Sequence, residues 1–268
     1  MTGGMFLPVW SLTKRELVRF VRQRSRAIGA FLQPVIFWVL FGTGFSESFR
    51  LQGVESGPSY AEFFLPGIAA MIVMFTAIFS AISVIQDRNE GFLQGVLVAP
   101  VSRTAIVLGK LCGGTLLALL QALLFLGLAA VLPLTGAVPA FDWNMSLGGV
   151  VATAAFLVLM GFGLCGFGYM FAWRLDSIQG FHAIMSVLLF PMWLLSGAFF
   201  PAEGSGWLSW VIAVNPLTYG VAGLKRAMAS DAASVAQLPS MGVCLAVSII
   251  FALVCVTIDV AMTRKHRV

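Results

Sequence analysis

The 268-residue chain is 59% hydrophobic and only 10% charged, with a mean hydropathy of +0.96, far from the roughly 25% charged composition of a soluble domain. That balance excludes a water-soluble globular protein and an intrinsically disordered one. Four cysteines, and glycines without a triplet period, exclude a disulfide scaffold and a collagen-like fibre. A polytopic membrane protein remains, and its net charge of +5 reads as anchoring rather than nucleic-acid binding, because the basic residues flank apolar runs and form no domain of their own.

The first 26 residues are basic. On a helical wheel, residues 9–26 place Val9, Trp10, Leu17, Val18, Phe20 and Val21 on one arc and Arg15, Arg19, Arg22 and Arg26 opposite, with Lys14 and Arg24 intruding on the apolar side. Spanning would bring several arginines into hydrocarbon at ~2.5–3.5 kcal/mol each. Residues 1–26 are therefore expected to lie flat in the cytoplasmic interface, with a polar face open to a cytoplasmic partner. No cleavable signal peptide is expected, since charge stands where an apolar core would be needed.

Seven charge-free runs are long enough to cross ~30 Å of hydrocarbon, at 27–46, 63–86, 111–141, 143–173, 177–202, 204–224 and 232–258. They lack strand-like alternation, so helices fit better than a barrel. Both ends of the chain are basic, which places both in the cytoplasm and demands an even number of crossings. The weakest spanner is 204–224, interrupted by Gly204, Gly206 and Asn215-Pro216, and it is expected to be an outer re-entrant hairpin. The fold expected is all-α: six transmembrane helices at about 27–46, 63–86, 105–133, 147–173, 177–200 and 241–262, a cytoplasmic element at 87–103 and a cytoplasmic tail at 263–268.

That topology collects Lys14, Arg15, Arg19, Arg22, Arg24, Arg26, Arg88, Arg103, Lys110, Arg174, Arg264, Lys265 and Arg267 inside, against Arg50, Lys225 and Arg226 outside. The adjacent Lys225-Arg226 pair is the discordant feature. Trp143, Trp207 and Trp210 fall at outer ends and Trp173 at an inner end, as amphipathic rings at headgroup level should. Cys112, Cys165, Cys244 and Cys255 lie inside expected helices without C-x-x-C spacing and read as small buried hydrophobes.

Between the second and third spans, Gln86-Asp87-Arg88-Asn89-Glu90 forms a charged turn, 91–99 a short apolar helix, and Pro100 a stop. Such a cytoplasmic knob suits a groove on another protein. Glu90 to Ser102 reads E-G-F-L-Q-G-V-L-V-A-P-V-S, which resembles the E-G-(T/F)-L-x-x-L-L-x-(A/T)-P-(V/I)-(S/P) pattern of the membrane subunits of type-2 ATP-binding-cassette exporters. Leu195-Ser196-Gly197-Ala198-Phe199-Phe200-Pro201, followed by Asn215-Pro216-Leu217-Thr218-Tyr219, is similar to that family's fifth-helix end and outer hairpin. The closest flavour is the branch of daunorubicin-resistance permeases and nodulation lipo-oligosaccharide exporters, with Gln94 standing where many relatives carry an acid.

The resemblance implies a pair of membrane subunits working on a pair of nucleotide-binding ATPase subunits, with 87–103 as the docking element. It points to Asp87, Arg88, Glu90, Gly91 and Phe92 as contacts, supported by Arg15 and Arg19. ATP and Mg are expected on the partner and no cofactor in this chain, whose only Gly-Lys pair, Gly109-Lys110, precedes Leu111 and lacks the phosphate loop. Six helices hardly enclose a bulky amphipath, so a homodimer in a prokaryotic inner membrane is expected. Gly109-x-x-x-Gly113 and Gly161, Gly163, Gly166 and Gly168 suit close helix approach, within a chain or between chains.

An ion-driven carrier or channel is the main rival, but Asp259 and His182 are the only ionisable candidates and both lie near span ends. An intramembrane enzyme lacks a nucleophile with a base, a metal cluster and any H-E-x-x-H or G-x-S-x-G. The pathway is expected to be lined by aromatic and thioether side chains, with Phe31, Trp38, Met71, Met74, Phe75, Met185, Trp193 and Phe199 as candidates. The substrate expected is hydrophobic, drug-like or lipid-linked, exported from the cytoplasm or inner leaflet.

Overall fold

The structure, a computed structural model, describes residues 5–22, 24–45, 60–136, 138, 145–199, 206–229 and 233–265. Arg50, Trp143, Phe200, Pro201, Gly204 and Arg267, most of the two outer loops, and the side chains of Arg24 and Arg26 lie outside the described residues. Eleven α-helices and no strand are found among those described, and the protein is an all-α polytopic membrane protein.

Helix α1 (Phe6–Arg22) is followed by helix α2 (Arg24–Gly44). The apolar part of α2 is Phe31–Gly44. Helices α3 (Tyr60–Ser80) and α4 (Ile82–Asn89) together form one 30-residue rod, with 83% of its most apolar window inside the fold. For α11 (Met241–Lys265) the share is 22%. The α3–α4 rod is thus the central post, and α11 presents most of its apolar surface outward, as a lipid-facing helix does.

Helix α5 (Phe92–Val98) is a short helix of about two turns before α6 (Arg103–Val131). Helices α7 (Leu147–Arg174) and α8 (Ile178–Leu194) follow, joined by a three-residue link. Serines start three of these rods: Ser102 Oγ accepts from Ala105 N (3.2 Å), Ser146 Oγ from Gly149 N (3.1 Å) and Ser177 Oγ from Gly180 N (3.2 Å), each satisfying a donor that the first helical turn leaves open. Helix α8 stops at Leu194 rather than near 200, because Leu195–Gly197 turns the chain and Gly197 sits at φ 80°.

Helices α9 (Trp207–Val214) and α10 (Pro216–Met228) are bent by 73° at Asn215. Four rods (α3–α4, α6, α7 and α11) are long and apolar enough to cross a membrane; α2 and α8 are shorter apolar helices, and α9–α10 is a bent pair.

The glycines place helices within the chain. A Cβ on Gly109 would stand 2.6 Å from the Leu12 Cβ, and one on Gly113 2.7 Å from the Glu16 Cβ. The pair at i, i+4 on α6 is therefore the seat of α1, which packs against α6 instead of resting on lipid alone. Gly168 likewise lets α7 approach the Ile78 carbonyl of α3, where a Cβ would come within 2.8 Å.

Candidate coupling site

The site is built where α4 ends. Glu90 closes α4, and Gly91 adopts φ 76°, ψ −6°, the left-handed conformation that a side chain disfavours. No atom lies within 4 Å of a Cβ built there, so the requirement is for backbone shape and not for space. The chain then turns into α5, whose Leu93 and Leu97, one turn apart, are buried, while Phe92 and Val98 are exposed. Arg103 Nη1 donates to the Leu97 carbonyl (2.9 Å), closing the C-terminal end of α5 against the start of α6.

Asp87, in the last turn of α4, is fully buried. Its carboxylate accepts two bonds from Arg15 (2.8 and 2.7 Å), one from Arg19 (2.8 Å) and one from Lys110. Arg19 reaches on to Glu90 (3.0 and 2.9 Å), and Lys110 also donates to Glu16 (2.5 Å) and Ser83 Oγ (3.1 Å). Three helices are pinned through one carboxylate: α1 by Arg15 and Arg19, α4 by Asp87 itself, and α6 by Lys110. The Arg15 guanidinium also lies 3.7 Å over the Phe92 ring, which ties α5 to the same cluster. Burial works against the Arg15 charge, but its hydrogen bond to Asp87 and their attraction outweigh that and raise its pKa.

Arg88 turns the other way. It donates to the Trp173 (2.6 Å), Leu175 (3.3 Å) and Ala172 (3.4 Å) carbonyls and pairs with Asp176 (2.9 Å). The last carbonyls of a helix have no intrahelical donor and carry the negative end of its dipole, so a guanidinium is a fitting clamp for the C-terminus of α7. Gln94, on the exposed side of α5, donates its amide to the Arg88 carbonyl (3.4 Å), a bond an ionised acid has no proton to make.

Of the seven residues expected at the contact, Asp87, Arg15, Arg19 and Arg88 are engaged within the chain, and Phe92, Glu90 and Gly91 stand at its surface. Lys110, Glu16 and Ser83 escaped the sequence reading. The signal was there: a single acid in a basic helix, placed four residues after Leu12, and a lysine bracketed by the glycines that admit that helix.

At the other end of the molecule, Asn215 joins α9 to α10. Its Oδ1 accepts from Leu217 N (3.0 Å), and its Nδ2 donates to the Met192 carbonyl of α8 (2.6 Å). Pro216 occupies the first helical position, where no donor is needed. The discordant basic pair has internal partners here. Buried Lys225 donates to the Gly197 carbonyl (2.7 Å) and lies 3.4 Å from the Phe63 ring centre, and Arg226 donates to the Pro239 and Leu238 carbonyls (2.6 Å each).

A cavity of about 640 Å³ lies among α1, α2, α3, α4, α6 and α8. Met71, Phe75, Phe79 and Phe190 give it apolar walls, and Gln33, Ser83, Gln86, His182 and Ser186 give it polar ones. Two of the eight pathway candidates, Met71 and Phe75, line it. Trp38 is fully buried, donates to the Ala61 carbonyl (3.0 Å) and meets Phe125 edge-on. Met74 and Met185 are fully buried in the core, against which half-buried Phe31 packs. Trp193 donates to the Gly67 carbonyl (2.9 Å), and Phe199 packs edge-on against Phe41 and Phe64.

The sequence profile of the ABC-2 type transporter family matches residues 8–229. The chain is similar to the putative transport permease ycf38 of Cyanophora paradoxa, at 29% identity over 213 residues covering 78% of this chain and 70% of that protein. It is 23% identical over 217 residues to the daunorubicin resistance ABC transporter permease protein DrrB1 of Streptomyces coeruleorubidus, covering 80% and 72%. With the probable multidrug ABC transporter permease YbhR of Escherichia coli K12 it shares 28% identity over 165 residues, 60% of this chain and 42% of that one.

Proposed function

This chain belongs to the ABC-2 type transporter family, and we propose from that premise how its two ends divide the work of export. It is the membrane subunit of an ATP-binding-cassette exporter, a transport permease that works with a separate ATPase subunit. The ATPase seats on α5 through its exposed face of Phe92, Gln94 and Val98, and closure on ATP moves α5 as a unit. ATP and Mg bind to that partner and none to this chain, whose Gly109 and Lys110 are occupied with α1 and with Asp87.

The observation that carries this reading is the Asp87 cluster directly behind α5. A push on a free loop would dissipate, whereas a push on α5 meets three helices joined through one buried carboxylate. The cavity beside the cluster has Glu16 and Arg19 in its wall and suits an apolar body with a hydrogen-bonding part. A hydrophobic, drug-like or lipid-linked amphipath is therefore the substrate class, as the names of the resistance and multidrug permeases also suggest. The subunit works as a homodimer in a prokaryotic inner membrane, with six spans, both termini cytoplasmic and α9–α10 re-entrant from the outer side.

The experiment is to purify the chain gently with its ATPase and measure stimulation of ATP hydrolysis by a transported dye. Glu90→Lys and Gly91→Trp are expected to insert normally and to abolish stimulation. Normal stimulated hydrolysis and export in both variants would show that coupling runs elsewhere. A cysteine near Asn215, at exposed Val214, is expected to react with an impermeant thiol reagent from outside only; labelling from the cytoplasmic side would overturn the six-span topology.

A further inference from the structure

Around the Asp87 cluster the charges do not balance. Lys14, Arg15, Arg19, Arg22 and Lys110 are five cations, and Glu16, Asp87 and Glu90 are three carboxylates, all three engaged. Two positive charges are left over, on Lys14 and Arg22, which have no ion pair among the described residues and are exposed. With 100° between successive residues, Ser11, Lys14, Val18 and Arg22 fall on the side of α1 away from Leu12, Thr13 and Glu16, the residues buried against α6. Together with Arg15 and Arg19 they line a shallow groove.

Beside this basic groove the helix exposes large apolar side chains: Phe6 at 75%, Leu7 at 69%, Val21 at 66% and Trp10 at 52%. A water-facing helix would not hold these out, and an acidic protein surface would match the cations but not four apolar neighbours. Cations beside an exposed tryptophan and aliphatic side chains match a bilayer interface, where chains take up the apolar side and headgroups the charge. The leftover charge of +2 then selects the sign of the headgroup.

We propose that the outward face of α1 is a binding site for anionic phospholipids, with Lys14 and Arg22 pairing the lipid phosphate and Phe6, Leu7, Trp10 and Val21 lying among the acyl chains. Because Arg15 and Arg19 on the same helix hold Asp87, a lipid bound on one side of α1 steadies the cluster held on the other. This site is independent of which ATPase docks on α5.

The test uses the full chain with its ATPase subunit in nanodiscs of phosphatidylcholine mixed with phosphatidylglycerol, followed by native mass spectrometry of the lipids retained. The wild type is expected to keep phosphatidylglycerol in preference to phosphatidylcholine. Lys14→Gln with Arg22→Gln is expected to lower that preference about 30-fold, at about 1 kcal/mol per cation near a charged surface, while Lys14→Arg with Arg22→Lys keeps it. Equal retention of the two lipids by the wild type would overturn the proposal, and that measurement needs no variant to fold. It would also be overturned if the double glutamine variant kept its phosphatidylglycerol but shed the ATPase, which would make the face a protein contact. Full displacement of the lipid by inorganic phosphate would reduce the site to a simple anion site and overturn the role of the apolar flank.

Discussion

The two ends of the molecule solve the same problem, cations in an apolar protein, by opposite means. At the α4–α5 end, Arg15, Arg19 and Lys110 are held by carboxylates on other helices. At the α9–α10 end, Lys225 and Arg226 are held by backbone carbonyls and an aromatic ring. Carbonyls fixed in turns cannot change partners without unfolding the turn. Carboxylates on separate helices can exchange one cation for another as the helices shift. The first arrangement suits a joint that moves, and the second a plug that stays.

The comparison is broken most severely at Asp87. Asp87→Asn removes the buried carboxylate shared by Arg15, Arg19 and Lys110, leaving Arg19 to Glu90 and Lys110 to Glu16, at a cost of up to about 3–5 kcal/mol for a broken buried ion pair. Loss of stimulated ATP hydrolysis and a marked fall in thermal stability in detergent are expected. Next is Lys225→Met, which strands the Gly197 carbonyl at about 1–3 kcal/mol, offset in part because a buried charge disappears too. Stability should fall while stimulation per folded molecule is unchanged; a loss of stimulation would erase the contrast between the two ends.

Gly91→Ala forces a side chain into the left-handed region at roughly 1 kcal/mol. It should weaken stimulation more than stability, read by comparing the two in one preparation. Smallest is Glu90→Gln. Its carboxylate is 57% exposed opposite Arg19, so the pair contributes about 0.2–1 kcal/mol and is screened by salt. A small stability loss that vanishes at high salt is expected, and a loss beyond that range would move Glu90 into the core of the joint.

The fold was largely legible because burial in lipid is a property of composition summed over a window, and hydropathy reports it directly. The α5 element was legible too, since a charged turn, an apolar run and Pro100 need no distant partner to be recognised. What escaped was pairing. Glu16 and Lys110 are 94 residues apart, and neither residue's surroundings in sequence reveal the other. Read alone, Lys110 is only a positive charge near a span end, and Arg15 and Arg19 are a polar face seeking a partner outside the chain. The early stop of α8 escaped for another reason: it lies inside an apolar run, where hydropathy is blind to backbone turns.

Arg88 has one more implication. It fastens the end of α4 to the last carbonyls of α7, and at the opposite tip of α7 the Gly149 backbone abuts the Ala227 carbonyl of α10, with Phe156 and Met160 against Gly223 and Gly220 on the way. The 28-residue α7 thus runs as one strut from the Arg88 clamp at the end of α4 to the C-terminal end of α10. Torque applied at one leaflet has a stiff shaft to the other, and a kink engineered midway along α7 would disengage the two without touching either.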